Sequence, residues 1–148
     1  MSIDATPPQL YSPLAAIRAA LLTLAVGWLM SALIGVALAL LQYQEVARSF
    51  PPAQVQAAFQ ARLDRELWRG SLLLFVHGGV LCGVLWWQVT AAIRGVPSPR
   101  FGLACGVLVA GVEAVAGWLL QTPPLFLLPL LSLIVTVGWY AGGDQRPR

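Results

Sequence analysis

Residues 14–42 read LAAIRAALLTLAVGWLMSALIGVALALLQ, and this stretch decides the class of fold. A helix needs about 20 mostly apolar residues to cross about 30 Å of hydrocarbon. Here a run of roughly 29 residues carries one formal charge, Arg18, near its start. The apolar part of a cleavable signal is shorter, about 7–15 residues. The segment before the run also holds Asp4 and no basic residue. The run therefore reads as a permanent, tilted anchor. Arg18 extends its alkyl stem to the interface.

Three more such runs follow, near 70–92, 101–120 and 123–142. Their 3.6-residue period is weak because apolar side chains surround each helix, as in a lipid-embedded assembly. The expected fold is all-α: one integral membrane domain over 1–148, an antiparallel four-transmembrane-helix bundle. The composition agrees. The chain has 148 residues, 58% hydrophobic and 10% charged, where soluble domains run about 45–50% and about 25%. That excludes a soluble globular domain and a disordered segment. The net charge of +3 comes from scattered Arg, with no Lys and no basic cluster, so nucleic acid is not an expected partner. Two Cys supply neither a disulfide framework nor a zinc spacing.

Aromatic residues mark the expected boundaries. Tyr11 and Tyr43 flank the first span. Trp68, Trp86 and Trp87 flank the second, Trp118 ends the third, and Trp139 and Tyr140 end the fourth. Indole and phenol rings favour the headgroup level. Only Trp28 sits well inside a span. The turn from Arg94 to Arg100 is short and holds Pro97 and Pro99; Gln121-Thr122-Pro123-Pro124 is shorter still. Pro123 and Pro124 suit a helix start, and Pro129 marks the first turn or a kink of span four.

The long connection, 44–69, contains an amphipathic segment over about 51–68. Ser49 caps it ahead of Pro51 and Pro52, and Val55, Phe59, Leu63 and Leu67 recur every four residues. It is expected to lie on the membrane surface, to extend span two, or to pack on a partner subunit. Five Arg fall on the side of the termini and four on the other. The turn between spans two and three has two Arg and no acid, which sets the termini in the cytoplasm. The absence of Lys and Asn points to a GC-rich genome, hence to a bacterial inner membrane. No internal repeat indicates an inverted-repeat transporter.

Small residues recur at spacing four in span one: Ala15, Ala19, Thr23, Gly27, Ser31, Gly35 and Ala39. In lipid, helices associate by close approach at small residues. A stripe of that spacing drifts about 40° per step, so it winds around the helix. Thr23, Gly27, Ser31 and Gly35 are its expected contact. Gly79 and Gly83 in span two, and Gly102, Gly106 and Ala110 in span three, form similar seams. The seams fit contacts within the chain, with a membrane-protein partner, or with a second copy.

Two ionisable side chains lie deep in the apolar spans, His77 and Glu113. Such residues are costly in hydrocarbon and mark candidate sites. His77 lies three residues before the centre of its span, near Val80; Glu113 lies about three after the centre of its own. In antiparallel helices both then sit roughly 4–5 Å from the midplane, toward the same face. The short turn makes spans two and three expected neighbours. Glu113 shares a face with Gly106, Ala110 and Gly117, so it points into a helix contact. The pair is expected to come within hydrogen-bonding reach.

Three readings of the pair stand. It locks two helices together, because buried polar groups need partners. It exchanges a proton or engages a substrate within the membrane. Or His77 is an axial ligand for haem or chlorophyll, with Gly78 and Gly79 leaving room for a flat ring. A bis-His haem needs a second His, which the chain lacks. The single His also removes most triad and metal-cluster schemes, and no nucleophile elbow, Walker loop or His-Glu-x-x-His occurs. Cys82 and Cys105 read as small buried hydrophobes.

No enzymatic activity, resident cofactor or metal is therefore expected. The leading expectation is an accessory or scaffold subunit of a membrane assembly. Next comes a small proton-coupled transporter or channel component using Glu113 and His77. A haem- or chlorophyll-holding subunit is third.

Overall fold

A computed structural model describes residues 12–65, 67–93 and 98–143, without the side chains of 63–65 and 67–73. Tyr11, Arg94, Pro97 and the side chains of Leu63, Leu67 and Trp68 therefore lie outside what is described. The helices are α1 (Pro13–Ser49), α2 (Val55–Arg65), α3 (Leu67–Ile93), α4 (Pro99–Leu119) and α5 (Pro124–Gly143). A short 3-10 turn, Pro52–Gln54, precedes α2. No strand occurs among the described residues. Four helices are long and apolar enough to cross a membrane, α1, α3, α4 and α5.

The ends of α1 follow from local chemistry. Ser12 caps its start, the hydroxyl accepting from the Ala15 N–H at 3.2 Å, with Pro13 in the first turn. The helix does not stop near Gln42 with the apolar run. It continues to Ser49, because nothing breaks it until Phe50 turns extended ahead of Pro51. Ser49 therefore does not cap the next helix; its hydroxyl donates to the Glu45 carbonyl at 2.9 Å within the last turn of α1. The 37 residues of α1 reach about 55 Å. Helix α2 folds back on this extension. Phe59 meets Tyr43 edge-on at 5.5 Å, and Val46 and Val55 are buried. The exposed Arg62–Glu45 pair, 3.3 Å apart, adds at most about 1 kcal/mol.

The long helices touch in the cyclic order α1, α3, α5, α4. Spans two and three, expected as neighbours, instead stand diagonally, as α3 and α4, with little contact. The reason is the fit of α4 on α5. A Cβ on Gly102 would run into the carbonyl oxygen of Gly138, and one on Gly106 would sit 3.1 Å from that of Ile134. Gly138 and Gly142 return the fit: a Cβ on either would sit 3.0 Å from the Cα of Gly106 or Pro99. This is backbone-to-backbone packing at small residues on both helices. The carbonyl of Gly142 also accepts from the Ser98 N–H at 2.8 Å.

The apolar core fills the half of the molecule nearest the start of α1. Ala16, Ala19 and Ala20 meet Leu81, Leu85 and Val89 of α3, Cys105 and Val109 of α4, and Ile134 of α5. Large apolar residues such as Leu29, Leu33, Leu40, Val115 and Leu128 face outward, as a lipid-contacting surface requires.

At the opposite end, α4 closes in a turn. The Thr122 N–H bonds the Gly117 carbonyl at 2.8 Å and the Gln121 N–H bonds that of Trp118 at 3.1 Å. This pairing puts Gln121 in the left-handed region, φ 54°, a position that favours glycine. Gln121→Gly is expected to stabilise the protein by about 1 kcal/mol. The unfolding midpoint in detergent checks it. No gain in that midpoint would refute the assignment of strain to this residue.

Candidate functional site

Trp28 and Ser31 lie three residues apart on α1 and share a face. Beside them α3 brings His77, and α4 brings Glu113, which is 5% exposed. The four side chains form one hydrogen-bonded network. The Trp28 indole N–H donates to Glu113 Oε1 at 2.7 Å. His77 Nε2 lies 3.2 Å from Glu113 Oε2. His77 Nδ1 lies 2.8 Å from Ser31 Oγ. The indole also meets the imidazole edge-on, ring centroids 6.3 Å apart.

His77 and Glu113 thus approach each other across the diagonal, both pointing inward. Trp28 orders the chemistry, because an indole N–H only donates. Oε1 must accept from it. A proton held by the pair is therefore confined to the line between Oε2 and Nε2. Ser31 adapts to either arrangement, since a hydroxyl both donates and accepts.

The network borders a cavity of about 380 Å³ with mostly apolar walls. Its lining includes Gly35 of α1, Leu74 of α3, Leu127 and Leu130 of α5, and Thr122 in the α4–α5 turn. The cavity therefore runs from the network toward that turn. On the far side of the network stands the packed core, with Leu81, Leu85, Val109 and Ile134 fully buried. The network thus lies between this cavity and the packed core.

The small residues expected to pack helices divide into two groups. Thr23 is fully buried, its hydroxyl donating to the Ala19 carbonyl at 2.9 Å. A Cβ on Gly27 would meet the Leu81 side chain of α3. Ser31 joins the network, while a Cβ on Gly35 would meet nothing within 4 Å. The drift of the stripe explains this: its ends, Ala15 and Ala39, are exposed. Gly102, Gly106 and Ala110 are buried on α4. Gly79 and Gly83 are exposed, and a Cβ on either would meet nothing within 4 Å. Among the described residues, the span-two seam meets no neighbour within this chain.

Of the two glycines beside His77, Gly79 has open space and Gly78 does not: a Cβ on Gly79 would meet nothing within 4 Å. A Cβ on Gly78 would run into Leu130, and both imidazole nitrogens already have protein partners. Among the described residues no group of three or more His, Cys, Asp and Glu side chains is placed to hold a metal ion. Cys105 is buried with its thiol 3.7 Å from the Ala16 carbonyl, and Cys82 is half-buried; both are free thiols.

One member of α1's contribution was visible in part. Trp28 stood out as the one Trp or Tyr well inside a span, where its indole N–H needs an acceptor. Glu113 is the one carboxylate at that depth. Gly138 and Gly142, which seat α5 on α4, carry the same spacing-four signal as Gly102 and Gly106. Comparison with protein-family models, with curated proteins and with solved structures finds no match to this chain.

Proposed function

We propose that this chain is a small component of a proton-coupled transporter or channel in a bacterial inner membrane. It is read as an antiparallel four-helix bundle with cytoplasmic termini and α2 at the membrane interface. Glu113 and His77 hold the exchangeable proton. One observation carries this reading: a hydrogen-bonded carboxyl and imidazole lie at the inner end of a cavity with a sealed core behind them. With cytoplasmic termini, that cavity faces the periplasmic side through the α4–α5 turn. A purely structural lock needs no such approach path.

The test is Glu113→Gln in proteoliposomes, with a pH-sensitive dye reporting proton entry. The amide keeps the shape and the acceptor for Trp28 but holds no exchangeable acid proton. Expected is a loss of proton flux of tenfold or more, with folding and detergent elution unchanged. Unaltered flux refutes the reading.

A second reading, an accessory or scaffold subunit, is favoured by the uncovered glycines. Gly79, Gly83 and Gly111 face outward with open space around them, which suits the close approach of another helix. Co-purification with mass spectrometry decides it; isolation only as a single chain counts against a partner.

A further inference from the structure

We propose that the cavity binds a monovalent organic cation with an apolar body, a tertiary or quaternary ammonium, in exchange for the proton held by Glu113 and His77. This deepens the proton-exchange reading and rests on it. The argument is one of charge balance. A carboxyl and an imidazole sharing one proton are neutral as a pair, whether the proton lies on Oε2 or on Nε2. Without that proton the pair carries one negative charge, which is costly at 5% exposure among apolar walls. Neutrality returns when either one proton or one positive charge enters.

The lining decides what that charge rides on. Among the described residues, Glu113 and His77 are the only ionisable side chains in the cavity wall. Among the described residues the lining from α1 and α5 brings none, so no Arg of that lining competes for the carboxylate, and an anion would meet it unscreened. The walls beyond the pair, including Leu74, Leu127 and Leu130, are apolar and favour a carbon body over hydrated metal. The indole of Trp28 lines the same space and offers a π-face to an ammonium. A volume of about 380 Å³ lies within the usual range for small-molecule sites. On binding, the ammonium forms no covalent bond; the O–H or N–H bond on the Oε2–Nε2 line breaks, its electron pair stays on the carboxyl–imidazole pair as the negative charge that the ammonium neutralises, and the proton passes to water.

The full chain in detergent, titrated calorimetrically with benzyltrimethylammonium, tests this. Running the titration in two buffers of different ionisation enthalpy counts protons. Expected is saturable binding with close to one proton released per cation. In the pH range where the pair is protonated, affinity then falls about tenfold for each unit of acidification. The uncharged carbon analogue, neopentylbenzene, is expected to bind at least tenfold more weakly. Glu113→Gln is expected to lose cation binding.

Should that variant misfold, Gly35→Leu still decides, because its Cβ meets nothing within 4 Å and its side chain takes up cavity space while leaving Glu113 and His77 in the chain. Binding that survives Gly35→Leu, binding without proton release, or equal binding of the uncharged analogue overturns the proposal. If the native chain conducts protons in a Glu113-dependent manner yet binds no cation, proton exchange stands and the cation assignment falls.

Discussion

His77→Leu is expected to destabilise the protein by about 1–3 kcal/mol, because it leaves Oε2 of the Glu113 carboxyl without its partner. That carboxyl is 5% exposed, and Oε2 has His77 as its partner. Leu is close to His in size, so the loss arises from an uncompensated polar group and not from a void. The double variant His77→Leu/Glu113→Leu is expected to recover much of the loss, since a pair replaced by apolar groups leaves no buried charge. Trp28 is 47% exposed and loses its acceptor in the double variant, which keeps the recovery short of complete. Ser31 can bond back to its own helix as other hydroxyls here do. Unfolding free energies of the native chain, two single variants and the double variant complete the cycle. A double variant as unstable as His77→Leu would trace the damage to displacement of α3.

The second large effect belongs to the α4–α5 seam. Gly138→Val is expected to cost about 3 kcal/mol, at the upper end of overpacking penalties. A Cβ there would sit against the Gly102 carbonyl oxygen at 2.5 Å and the Gly106 Cα at 3.0 Å. These are backbone atoms, so no rotamer change relieves the clash and the helices must separate. Gly83→Ala is the matched control. Its new methyl meets nothing within 4 Å, and alanine favours a helix over glycine by up to about 1 kcal/mol, so a small gain is expected. Similar losses in both variants, read from denaturant midpoints, would refute the assignment of the seam to α4 and α5.

Much of this was legible in the sequence. Apolar runs located four helices, since hydropathy over 20 residues sums many small transfer terms into one large signal. Counting residues from the centre of each span put His77 and Glu113 at one depth, because helical rise is constant. Lateral order was not legible. A short connection before Pro99 suggested adjacency, but chain length limits only the distance between ends, and the Gly102–Gly138 fit sets α4 beside α5. The length of α1 was missed because polarity after Gln42 marks where lipid ends and not where a helix ends; Pro51 does that. Ser31 was read as a small packing residue, and its hydroxyl was overlooked. Its partner sits on another helix, which periodicity within one helix does not reveal.

The hydroxyls of the long helices carry a consequence for how the protein is built. Thr23, Thr90, Ser132 and Thr136 each donate to a carbonyl four residues earlier in their own helix. Each can therefore enter the bilayer before any other helix arrives. Ser31 differs, its contact being with His77 of α3. A ribosome delivers Trp28 and Ser31 first, His77 second and Glu113 last. The residue most expensive to place in lipid thus comes when its donors are already in place. Biogenesis in chain order turns the network into a prepared socket, and a circular permutation that inserts α4 first would send the carboxyl in unaccompanied.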